Sequence, residues 1–218
     1  MIKENGRNSG GVSTEALLRE AYDLERRRLL MLAERDEPQG EYRFPVFGEG
    51  NASAHALLIG EAPGAEETKQ RRPFVGRAGK QLDELIAIFG VSREELYISN
   101  TVKYRPVIRS LTSARNRTPL PKELAAALPL LRREIELIGP RVILTLGNTP
   151  LKAVCQIAGV AAPAIGGAHG KEQTLKIGAC AARLIPLYHP ASGIYNRSLI
   201  EVMERDALFA GSAIRGTR

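Results

Sequence analysis

Three polar residues stand at the ends of short apolar runs. Glu61 follows Ala56-Leu57-Leu58-Ile59-Gly60, Asn100 closes Leu96-Tyr97-Ile98-Ser99, and His189 follows Leu184-Ile185-Pro186-Leu187-Tyr188. A carboxylate can orient water or take a proton from it. An amide can donate and accept across one edge of a polar ring, and a neutral imidazole still offers one N–H. Phe74, in Pro73-Phe74-Val75-Gly76, adds an aromatic face. Alone, each has a plainer use: a turn-capping amide, a satisfied histidine, a core phenylalanine. At three strand ends together they predict a pocket for something flat and polar.

The elements that must position these groups follow from the pattern of apolar residues. A short apolar run bounded by glycine reads as a buried strand. Four are predicted: Ala56 to Ile59, Leu96 to Asn100, Arg141 to Gly147 and Leu184 to Tyr188. Helical periodicity covers Thr14 to Arg35, a stretch around Leu82 to Phe89 closed by Gly90, Lys122 to Ile138 with a kink at Pro129, Thr149 to Ala158, and Ser198 to Phe209. Val46 to Asn51 reads as a glycine-punctuated loop. Lys103 to Arg117 is basic, holds Pro106 and reads as a loop. Strands alternating with helices predict an α/β fold, a three-layer α/β/α sandwich around a four-stranded, mostly parallel sheet. Its strand ends face one side, where open α/β sheets bind ligands. Residues 1–13 read as a flexible tail and 14–218 as one domain.

Bulk composition adds bounds. Lys and Arg number 31 against 24 Asp and Glu, a formal charge of +7, which weakly favours a polyanionic partner. The two cysteines, Cys155 and Cys180, form no C-x-x-C pair and fit a reducing compartment. They read as small buried apolar residues, and two thiols cannot supply four ligands to an iron–sulfur cluster. No metal and no cofactor are expected. No run is apolar enough to span a membrane, and the polar N-terminus lacks a signal-peptide core. A cytoplasmic monomer is expected.

Five linked stretches resemble the uracil-DNA glycosylase superfamily, and most of all its family 4. They are Gly60-Glu61-Ala62-Pro63-Gly64-Ala65-Glu66-Glu67, Arg72-Pro73-Phe74-Val75-Gly76-Arg77-Ala78-Gly79, Asn100-Thr101-Val102-Lys103-Tyr104-Arg105-Pro106, Asn116-Arg117-Thr118-Pro119 and Tyr188-His189-Pro190-Ala191. The lead-in Val46-Phe47-Gly48-Glu49-Gly50-Asn51 fits as well. The resemblance implies hydrolysis of the bond between uracil and deoxyribose in DNA after the base is flipped out. The products are free uracil and abasic DNA. It implies Glu61 as the residue that handles water and His189 as donor to the uracil 2-oxygen. Asn100 reads the base edge, and Phe74 stacks on its face. Gly60, Ala62, Pro63 and Gly64 line the pocket, and Glu67 or the backbone near Pro63 crowds the 5-position. DNA contacts are expected from Lys103, Arg105, Arg115 and Arg117, and from Ser192, Gly193, Ile194, Tyr195 and Arg197. Ile194 or Tyr195 would be the wedge in the duplex. Two alternatives stay open: a binder of deaminated bases or abasic sites with little turnover, and a glycosylase for hypoxanthine or xanthine.

One departure stands out. The resemblance to family 4 implies a four-cysteine iron–sulfur cluster. Tyr104 and Ala127 stand where two of those cysteines are expected, and the first pair falls in the cysteine-free stretch from Tyr22 to Leu32. The resemblance therefore implies a cluster-free relative in which helix packing replaces the metal.

Overall fold

The computed structural model describes residues 12–35 and 40–217, with the side chains of residues 194 and 195 left out. Most of the expected tail lies outside the described residues. Ser13 is an N-cap: its hydroxyl accepts the Ala16 N–H at 3.2 Å and starts α1 (Thr14–Glu34). After β1 (Glu49–Gly50) the chain enters β2 (Ala56–Gly60), then α2 (Ala65–Gln70) and α3 (Arg77–Phe89). β3 (Leu96–Asn100) leads to a hairpin of β4 (Val107–Arg109) and β5 (Ala114–Asn116). α4 (Pro121–Ile138), β6 (Val142–Leu146), α5 (Asn148–Ala158) and the short α6 (Ile165–Ala168) follow. The chain closes with β7 (Gln173–Ile177), β8 (Cys180–Leu187), the short α7 (Ser192–Tyr195) and α8 (Ile200–Arg215).

The main sheet has the order β1-β3-β2-β6-β8-β7. Its inner strands β3, β2, β6 and β8 are parallel, and β1 and β7 add antiparallel edges. The predicted four strands are thus the centre of a six-stranded sheet. β2, β3 and β6 are buried at every position because helices cover both faces. Alternate residues feed separate cores. Leu57 and Ile59 join Leu18, Leu131, Ile135 and Val154 from α1, α4 and α5. Ala56 and Leu58 join Leu82, Phe89, Ala207 and Ile214 from α3 and α8.

Several expectations need correction. The basic segment after Lys103 is not all loop, because Val107↔Asn116 and Arg109↔Ala114 pair as a hairpin. β1 hid in the glycine-punctuated stretch because two edge residues leave no apolar run. β7 mixes exposed and buried positions, the mark of an edge strand, and offers no continuous apolar run in the sequence. α4 matches its expected span and holds Pro129 inside it. The last helix starts at Ile200 and extends to Arg215.

Candidate active site

β2 connects outward to β3 on one side, while β6 and β8 extend the sheet on the other. The topology therefore switches between β2 and β6, where a crevice must form at the carboxyl ends of the strands. A cleft of about 870 Å³ lies there, a size suited to a small ligand. Glu61, Phe74, Asn100 and His189 all line it, with Ala62, Pro63 and Gly64. Glu61 Oε2 accepts a 2.5 Å hydrogen bond from the Thr149 hydroxyl. Thr149 stands in the first turn of α5, so this bond ties the end of β2 to the end of β6 across the crevice. The amino end of α5 also favours negative charge there. Sequence reasoning missed Thr149.

Asn100 and Phe74 are packed against Gly60. A Cβ on Gly60 would collide with Asn100 Oδ1 and with the Phe74 ring, so glycine lets both close on the strand end. Phe74 itself has φ 53°, a left-handed conformation costly for an aromatic residue, about 1–3 kcal/mol. Arg93 holds that turn by donating to the carbonyls of Pro73 and Phe74 at 2.8 and 3.3 Å. Gly79 lets α3 lie directly on the Phe74 carbonyl. The Asn100 side-chain amide makes no hydrogen bond to protein among the described residues, so both its functions are available to a ligand edge.

Beneath Asn100 lies a buried polar network. Lys103 Nζ donates to the Asn100 carbonyl at 2.5 Å, Ser99 Oγ at 2.7 Å and Glu134 Oε2 at 2.6 Å. Glu134 Oε1 accepts from Ser99 and from Tyr22, whose hydroxyl lies 2.7 Å from that of Tyr97. Burial, then the Glu134 charge, pushes the Tyr22 phenol far above its usual range. The Lys103 side chain is 1% exposed, so its ammonium cannot reach a phosphate. This corrects its expected place among the DNA contacts: it holds the backbone of Asn100.

His189 is set as one tautomer. Its Nδ1 accepts the Ala191 N–H at 3.2 Å, which leaves Nε2 to carry the proton. Burial lowers its pKa from the ordinary histidine value. The ring stands 6.5 Å from that of Phe74, centroid to centroid.

Glu67 lies on the cleft wall, but its carboxylate is spent on the backbone. It accepts from the N–H groups of Gly64, Val75 and Gly76 at 3.1, 3.1 and 2.7 Å. It clamps the Gly64 turn to the Phe74 turn. Arg105 bonds Asn116 Oδ1 at 2.6 Å and Glu41 at 3.1 Å, and Arg117 forks onto Glu123 at 2.6 and 2.7 Å. Both therefore brace the hairpin base. Arg115 and Arg197 are exposed, Ser192 borders the cleft, and Gly193 packs near Ile200 and Met203. The side chains of Ile194 and Tyr195, the expected wedge, lie outside the described residues.

Tyr104 and Ala127 are buried in a third apolar cluster with Leu29, Tyr42 and Val102. The rings of Tyr42 and Tyr104 meet at 4.5 Å. These residues offer no thiolates and fill the space with carbon, so they do not fit an iron–sulfur cluster. Cys155 and Cys180 are both free thiols, and burial raises the pKa of each. Among the described residues no helix is long and apolar enough to cross a membrane.

Comparison with known proteins agrees with this geometry. The pattern of the Uracil DNA glycosylase superfamily matches residues 47–210. A type-4 uracil-DNA glycosylase of Saccharolobus solfataricus is 41% identical over 74% of this chain and 72% of its own length. One from Pyrobaculum aerophilum is 36% identical over 78% and 83%, and one from Thermotoga maritima 38% over 70% and 73%. With the cleft at the sheet's switch point and the matched residues lining it, the chain belongs to the uracil-DNA glycosylase superfamily of DNA N-glycosylases.

Proposed function

We propose that this protein removes uracil from DNA by hydrolysing the N-glycosidic bond of a flipped-out deoxyuridine, leaving an abasic site. The observation that carries the reading is the meeting of Glu61, Asn100 and His189 from three strand ends in one cleft, with Phe74 beside them. The base stacks on Phe74. The Asn100 amide accepts from the ring N–H and donates to the 4-oxygen. Cytosine presents the reverse pattern, and the unpaired groups would cost roughly 1–3 kcal/mol or more. As the C1′–N1 bond breaks, its electron pair passes to the uracil ring and the sugar turns oxocarbenium-like. The Nε2–H of His189 stabilises the charge growing on the 2-oxygen. Water oriented by Glu61 adds to C1′, and its proton leaves towards the carboxylate. Thr149, hydrogen-bonded to Glu61, keeps that carboxylate facing the cleft.

DNA carrying a single uracil, incubated with the protein and then with alkali, is expected to break at that position. Asn100→Asp is expected to lose selectivity for uracil over cytosine. Intact DNA after incubation with stoichiometric folded protein would sink the reading.

A further inference from the structure

A second groove, of about 700 Å³, opens beside the cleft. α2 is the wall between them: Glu66 and Glu67 border the cleft, Thr68 and Lys69 border the groove, and Ala65 borders both. A strand that leaves the cleft mouth over α2 therefore enters the groove.

The groove is lined by the paired Glu41 and Arg105 and, beyond that pair, by cations. Arg43, Lys69, Arg71 and Arg109 line it and are exposed. None of the four has a carboxylate partner among the described residues. Clustered unpaired cations repel one another, and a polyanion relieves that cost.

A separate observation points to the kind of polyanion. Phe44, 47% exposed, stands among these cations with the Arg71 guanidinium 4.5 Å from its ring centre. Arg71 is held there by the end of α2, in a left-handed conformation at φ 58° with its N–H bonded to the Glu67 carbonyl. An exposed ring backed by a guanidinium is a surface on which a nucleobase stacks. A base stacks on a side chain only when its face is free of the duplex stack.

We propose that this groove binds single-stranded DNA running on from the target nucleotide, with phosphates against Arg43, Lys69, Arg71 and Arg109 and one base on Phe44. The path from the target nucleotide rests on the glycosylase reading; the groove's affinity for single strands does not.

The test uses uracil-free oligonucleotides, single-stranded and duplex, bound to the full chain and followed by fluorescence anisotropy across salt concentrations. Phe44→Ala is expected to weaken single-strand binding about five-fold or more and to leave duplex binding unchanged. Replacing Arg43, Lys69 and Arg71 together by serine is expected to flatten the single-strand salt slope by about 2. All four side chains are exposed, and circular dichroism checks that the variants fold. Unchanged single-strand affinity and slope in folded variants overturn the proposal, and so does an equal loss on duplex. Because the probes hold no uracil, either result is independent of whether the cleft releases it.

Discussion

At His189, Nδ1 is taken by the Ala191 N–H, and burial opposes a second proton. The residue is therefore set to act as a neutral Nε2–H donor. Removing one such donor typically costs about 10²–10³-fold in rate. His189→Ala is expected to slow single-turnover uracil release by that order while changing DNA affinity much less. The pH dependence follows from the same site. The folded state resists protonation, so below the unfolded histidine pKa, about 6.5, the unfolded chain binds more protons and stability falls with pH. That loss levels off only below the lowered folded pKa. Activity is expected to be flat above neutrality and to fall on the acid side as the Nδ1 bond is broken. His189→Gln, which cannot titrate, is expected to lose the acid limb; its persistence would assign the limb elsewhere. These strand-end residues were legible because an apolar run announces its own end. Thr149 was not, because its contact with Glu61 depends on β6 lying beside β2, and neighbours in a sheet are not neighbours in sequence.

At the scale of elements, the turn after β3 is fixed by an ion pair to α4. Lys103 looked like one more cation of a basic segment, since local composition cannot reveal that Glu134 waits in the next helix. Breaking a buried pair from one side typically costs about 3–5 kcal/mol because the surviving charge is stranded. Lys103→Met is expected to destabilise the protein by that order in urea unfolding, and Glu134→Gln added to it should restore much of the loss. The salt slope of DNA binding is expected to stay unchanged in the folded Lys103 variant. Strands buried on both faces and helices of strong period could be read from the sequence. The edge strands, the hairpin and α2 could not, because each is short and gains its hydrogen bonds from partners already in place.

Across the whole molecule, two apolar cores flank the sheet and a third closes the corner between α1, α4 and the segment after β3. Leu29 is fully buried in that third core, so Leu29→Ala is expected to cost about 2–5 kcal/mol, read from the shift of the denaturant midpoint. Carbon packed around Tyr104 and Ala127 also has a physiological reading. A corner closed by side chains has nothing for peroxide to strip or a chelator to carry away. Protein made in iron-starved cells is expected to melt at the same temperature as protein made in iron-rich ones, and a lower melting point after chelation would refute this. Excision by such a fold would keep its pace when iron is scarce and oxidants are rising.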